Sequence, residues 1–206
     1  MLERFRQFWT GLLSPFANLL LRLGVSADAV TLVGTAGVCA GSLGFFPRGQ
    51  LWLGVVIVGL FVFSDMVDGY MARASGSSSR WGAWLDSTLD RVGDAAVFGG
   101  LVLWYAGGGD DLVLASVTLW CLVTGSVISY ARARAESLGM QGKGGIAERA
   151  DRLVAVLVMA FFADVLDQEW LLGLTLWVLA VASTVTVVQR AFIVRRQAFA
   201  LDPPAR

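Results

Sequence analysis

Long apolar runs alternate with short polar clusters along this chain, and the runs cover 29–46, 51–64, 81–105, 112–135, 149–162 (reaching toward 165) and 170–195. Polar stretches separate several of them: Pro47-Arg48-Gly49, Gly107-Gly108-Gly109-Asp110-Asp111, residues 136–148, and Asp167-Gln168-Glu169. A bilayer core of about 30 Å takes around 20 helical residues, and no run shows the strict alternation of a strand. The pattern predicts an all-α integral membrane protein with six transmembrane helices, a single domain over 1–206 with its bundle at 28–195. Ahead of the bundle, Phe5, Phe8, Trp9, Leu12 and Leu13 recur at helical spacing opposite Glu3, Arg4 and Gln7. Residues 1–24 are therefore expected to form an N-terminal amphipathic helix in the bilayer interface, broken near Pro15. A helix packed on the protein would carry the same face. The segment has neither the long apolar core nor the small-residue cleavage site of a signal peptide. Ser26 or Asp28 can cap the helix that follows.

Composition points the same way. Hydrophobic residues make up 56% of the 206 and charged residues only 16%, with a mean hydropathy of +0.68, the balance of a polytopic membrane protein. Net charge is zero, which argues for no nucleic-acid partner. Placement of charge is more informative: on the six-helix reading, 15 of the 16 Lys and Arg fall on one side and only Arg48 on the other. By the positive-inside rule, both termini are expected on the cytoplasmic face of a bacterial inner membrane. Cys39 and Cys121 sit in apolar runs without a Cys-x-x-Cys partner, as small core residues do. The absence of His excludes Ser-His and Cys-His nucleophilic schemes and His-ligated metals. A general base must come from Asp, Glu, Lys or Tyr.

The chemistry concentrates between Ser64 and Asp94, where Asp65, Asp68, Asp86, Asp90 and Asp94 lie among apolar neighbours. If this stretch is two helices joined by a Gly/Ser hairpin at 74–80, Asp65 and Asp68 share one helix face and Asp86 and Asp90 share another. Apposed, the two faces make a four-carboxylate pocket on the cytoplasmic side. Carboxylates that close stay ionised only beside cations, and hard oxygen donors suit Mg2+, Mn2+ or Ca2+. Acidic residues at membrane depth are costly and usually functional.

The spacing Asp65-x2-Asp68-Gly69-x2-Ala72-Arg73-x8-Gly82-x3-Asp86-x3-Asp90 resembles the signature of the CDP-alcohol phosphotransferase family, with every defined position present. The resemblance implies transfer of a phosphatidyl group from CDP-diacylglycerol to an alcohol, with CMP released and two Mg2+ (or Mn2+) ions bound. It makes Asp65, Asp68, Asp86 and Asp90 metal ligands and Asp90 the general base. Asp28, Ala29, Val30, Thr31, Asp68, Gly69, Ala72, Arg73, Ser79 and Gly82 would meet the CDP-lipid. Gly69 and Gly82 fit a nucleotide lying against backbone, although helix packing also uses glycine. Arg73 suits a diphosphate oxygen. Asp94 lies outside the signature, as a supporting or purely structural residue.

A second stretch, 129–152, holds Arg132, Arg134, Arg149 and Arg152, and Arg190 lies in the last apolar run. Arginine forks bind phosphate bidentately, so the acceptor is expected to carry one. Positive-inside charge alone would explain Arg195 and Arg196 but explains Arg190 less well. From about residue 15 to 195 the chain is similar to actinobacterial members of the family that act on inositol phosphate, through Val127–Glu136, Gly144–Arg152 and Val188-Gln189-Arg190. There the acceptor phosphate is held at positions matching Arg132, Arg152 and Arg190, with Arg134 and Arg149 beside them. Position 132 is Lys in some relatives and position 150, here Ala, is Pro in some. The implied acceptor is 1D-myo-inositol 3-phosphate, and the implied assembly is a homodimer among membrane lipids. Glycerol 3-phosphate as acceptor, a cation transporter built on the acidic cluster, and a non-catalytic membrane protein are the competing readings.

Overall fold

The computed structural model describes the backbone of residues 14–62, 64–76 and 79–201, and the side chains of all of these except Asp65 and Met66. The expected amphipathic face at Phe5–Leu13 and the polar end of the chain after 201 lie outside the described residues. Every regular element among the described residues is helical. Helix α1 covers 14–22, with Pro15 inside it. There follow α2 (Ala27–Phe45), a short 3-10 turn (Phe46–Arg48), α3 (Leu51–Val62), α4 (Ser64–Ala74), α5 (Arg80–Ala106), α6 (Leu112–Ser137), α7 (Arg149–Val165) and α8 (Trp170–Leu201).

Most of these helices begin where a side chain can take up an orphan N–H. Ser26 Oγ accepts from Ala29 N at 3.2 Å, Ser79 Oγ from Gly82 N at 2.9 Å and Asp111 Oδ1 from Leu114 N at 2.8 Å, each the cap-to-N3 bond of a helix start. Glu148 and Asp151 form a reciprocal capping box at α7. Of the two caps expected for α2, Ser26 is the one used, so the Asp28 carboxylate is left for other work. At its far end α6 stops on Gly139, whose φ of +77° is the left-handed conformation glycine adopts after a helix.

Among the described residues, four segments are long and apolar enough to cross a membrane: Ala27–Arg48, Leu51–Ala74, Leu112–Ser137 and Trp170–Leu201. Two of the six predicted spans differ from these for a physical reason. The first half of α5 carries Asp86, Asp90, Arg91 and Asp94, and α7 has 17 residues, short of the roughly 20 that a bilayer core takes.

The chain divides into two compact units, one of residues 1–45 and 53–97, the other of 46–52 and 98–206. In the first, α2 lies against α3 and α4 through a lane of glycines. An added Cβ at Gly34 would collide with Ser64, at Gly37 with Phe61, and at Gly41 would come within 2.9 Å of Ile57 Cγ2. Small residues at this spacing let two helix backbones approach. Val67 and Met71 of α4 pack on Ala17 of α1, with Leu20, Val30 and Tyr70 around them. In the second unit, α6 and α7 pack on α8 around Cys121, Val156, Leu172 and Leu176, all but fully buried. Cys121 Sγ reaches the Leu176 carbonyl at 3.4 Å; both cysteines are free thiols.

Candidate active site

The first turn of α2, the length of α4 and the first turns of α5 surround a cavity of about 350 Å3. It is lined by Asp28 and Thr31 from α2, by Asp68, Gly69, Ala72 and Arg73 from α4, and by Ser79, Gly82 and Asp86 at the start of α5. α4 and α5 follow one another in the chain, and each turns one aspartate, Asp68 and Asp86, into the same hollow. Helical spacing accounts for the α4 wall, since 68, 69, 72 and 73 fall on one face.

Asp68 is the buried carboxylate of the group, 6% exposed, and Thr31 Oγ1 donates to its Oδ2 at 2.5 Å. That bond fixes the direction of the Asp68 carboxylate. Asp28 is positioned from α5, with Trp81 Nε1 donating to its Oδ2 at 3.0 Å. Trp81 was not singled out by the sequence, although it directly precedes the signature glycine Gly82. The two glycines line the hollow with little room to spare: an added Cβ at Gly69 would stand 3.4 Å from the Arg73 guanidinium, and one at Gly82 would stand 3.4 Å from Ser79 Oγ and 3.7 Å from Asp28 Oδ1. Both therefore face the hollow. Ser79 lines it while capping α5.

The remaining predicted residues divide. Ala29 and Val30 turn away from Asp28 and Thr31 and line an apolar groove of about 440 Å3 with Phe16, Leu20, Val33 and Leu60; a run of four helical residues cannot present one face. Asp90 lies one turn beyond Asp86, outside the cavity lining. Its Oδ2 is 3.6 Å from Arg91, which also reaches Asp94 at 3.7 Å; Asp94 is buried. Among the described residues no three acidic side chains stand close enough to hold one ion, and the Asp65 side chain lies outside that description. The donor set still suits a hard divalent cation, because carboxylate oxygens from Asp68 and Asp86 line one hollow.

In the second unit the arginines gather around the loop between α6 and α7. Arg152 and Arg190 are 2% and 3% exposed, rare for a guanidinium unless it is paired. Arg152 donates to the Ala147 carbonyl at 3.0 Å and packs on Gly125. Arg190 donates to the Ile128 carbonyl at 2.6 Å and the Gly144 carbonyl at 2.9 Å. Arg132 is half exposed and pairs with Glu136 at 2.9 Å; Arg134 contacts Ser137 at 3.4 Å. A guanidinium carries five N–H donors, and the two carbonyl bonds of Arg190 use its Nε and one Nη.

Comparison with known proteins extends this picture. The sequence pattern of the family described as CDP-alcohol phosphatidyltransferase matches residues 25–188. The chain is similar to the phosphatidylinositol phosphate synthase of Streptomyces avermitilis, 54% identical over 98% of this chain and 86% of that one. Its fold is similar to two crystal structures of Mycobacterium tuberculosis phosphatidylinositol phosphate synthase, each 47% identical with a TM-score of 0.85. One, with CDP-DAG bound, is covered over 92% of its chain and the other, in complex with manganese and citrate, over 88%; each covers 88% of this chain. A signature retained whole, two of its aspartates and both of its glycines lining one hollow, and identity of this order across nearly the full length have one explanation: the chain belongs to the CDP-alcohol phosphatidyltransferase family.

Proposed function

We propose that this protein is a phosphatidylinositol phosphate synthase of the bacterial inner membrane, transferring the phosphatidyl group of CDP-diacylglycerol to 1D-myo-inositol 3-phosphate and releasing CMP. The observation that carries this reading is the cavity between α2, α4 and α5, where Gly69 and Gly82 leave room for a nucleotide between Asp68, Asp86 and Arg73. The likeness to relatives of that name, one of them solved with CDP-DAG, supports the same reading.

The cytidine diphosphate lies in the cavity, with Asp28 and Thr31 at one wall and Arg73 against a phosphate oxygen. The apolar groove beside it, lined by Ala29 and Val30, takes the lipid tails. Asp65, Asp68, Asp86 and Asp90 are the residues that would hold divalent ions; when bound, two Mg2+ or Mn2+ neutralise diphosphate oxygens and stabilise the charge that develops in the transfer. Thr31 holds the Asp68 carboxylate in place for this. Asp90 takes the proton of the acceptor hydroxyl, whose oxygen forms the new bond to the β-phosphorus as the bond to the CMP oxygen breaks. Arg132, Arg152 and Arg190 bind the acceptor's phosphate. Six spans with both termini and the acidic cavity facing the cytoplasm, and a homodimeric assembly, complete the reading.

Purified protein should release CMP from CDP-diacylglycerol with inositol 3-phosphate in the presence of Mg2+ or Mn2+ and stop on chelation. Turnover with glycerol 3-phosphate alone would instead make it a phosphatidylglycerophosphate synthase. Absence of any CDP-dependent thermal stabilisation with Mg2+ present would favour the transporter reading.

A further inference from the structure

Three polar side chains of α8 hold the loop between α6 and α7, and only one of them, Arg190, has a part in the reaction as read above. Thr186, Arg190 and Gln197 stand four and seven residues apart, which puts all three on one face of an otherwise apolar helix. Thr186 Oγ1 accepts from Ile146 N and Ala147 N at 3.2 Å each, and Arg190 holds the Gly144 carbonyl. Gln197 makes a double contact. Its Oε1 accepts from Gln141 N at 2.8 Å and its Nε2 donates to the Gln141 carbonyl, also at 2.8 Å. These are the paired bonds that two residues exchange in an antiparallel ladder, with a side-chain amide taking the place of one strand.

The loop needs such fastening. Residues 140–145 have no regular structure, and Gly139, Gly144 and Gly145 have φ of +77°, +120° and +128°, so its backbone is unusually free before it is held. It leads directly into the capped start of α7, where Arg149 and Arg152 stand. We propose that Gln197 is a positioning residue for the acceptor: by fixing Gln141 it fixes the path of the loop and so the arginines that follow it. This rests on the reading that Arg152 and Arg190 hold the acceptor phosphate.

Two measurements on the full-length enzyme test it. Amide hydrogen exchange at Gln141 should accelerate in Gln197→Ala, reporting the contact independently of any substrate. In the same variant the KM for inositol 3-phosphate should rise about fivefold, the scale of a lost pair of ordinary hydrogen bonds, with kcat and the KM for CDP-diacylglycerol unchanged. Gln197→Glu keeps the acceptor for Gln141 N and loses the donor, so it should fall between wild type and alanine; it also serves if the alanine variant folds poorly. Faster exchange at Gln141 with an unchanged acceptor KM would overturn the proposal, as would a parallel rise in both KM values. If the wild type uses glycerol 3-phosphate instead, the reading of the acceptor fails, and the same KM split measured with that alcohol decides the role of Gln197.

Discussion

The acidic hollow and the arginine-held loop are both built from charged residues on largely apolar helices, yet they are built in opposite ways. Around the hollow, Asp28, Asp68, Arg73 and Asp86 line a cavity beside two glycines, with Trp81 donating to Asp28 and Thr31 to Asp68. Around the loop, Arg152 and Arg190 are buried and already bonded to main-chain carbonyls. The first region turns its charge toward a cavity; the second uses part of its charge to shape itself. Under the proposed function a buried guanidinium bonded in this way is both structure and site, so removing it does two things at once.

Substitutions separate the two regions. The largest effect is expected at the carboxylates: Asp68→Asn and Asp90→Asn should each lower kcat by about 10²–10⁴-fold, the range typical of lost acid–base groups, with little change in thermal midpoint, read from CMP release and a melting curve. Unchanged turnover in Asp90→Asn would remove that residue from the chemistry. Arg190→Met should behave differently, losing stability as well as acceptor binding. The buried Ile128 carbonyl would lose its donor, at about 1–3 kcal/mol, and the half-buried Gly144 carbonyl would lose its own at a smaller cost, whereas Arg73→Met, on the open cavity wall, should leave the melting curve in place and raise only the KM for CDP-diacylglycerol. Gly82→Val should crowd the hollow against Ser79 and Asp28, raising that same KM about tenfold, or 1.4 kcal/mol. The smallest effect is expected from Thr31→Val, which removes the donor to Asp68. Activity titrated with Mg2+ should then need up to about tenfold more metal, the lower end of what partners of metal ligands contribute. An unshifted titration would mean that Asp68 needs no such support.

The sequence was more informative about the hollow than about the loop, and the reason is periodicity. Asp65, Asp68, Asp86 and Asp90 stand at helical intervals on two adjoining helices, so spacing alone assigns them faces. The six apolar runs likewise mark the long helices to within a few residues, except that α8 continues to Leu201 where the apolar run stops near 195. The fastening of the loop had no such signal. It depends on Gln141 and Gln197, 56 residues apart in sequence, and on backbone groups that every residue has. Thr186 and Gln197 could have been noticed as polar residues on the Arg190 face of α8, but nothing in the spacing says what they hold. Trp81 was passed over because an aromatic residue near a membrane interface is unremarkable until its indole N–H is seen on Asp28.

One turn of α2 sends Asp28 and Thr31 into the polar hollow and Ala29 and Val30 into the oily groove. A helix turn rises only about 5.4 Å, so under the proposed function that turn would act as a ruler for the substrate, the diphosphate and the first carbons of the glycerolipid parting company within its length. Analogues that insert a spacer between phosphate and glycerol should lose affinity out of proportion to their added bulk, while analogues that vary only the far ends of the fatty chains should be accepted.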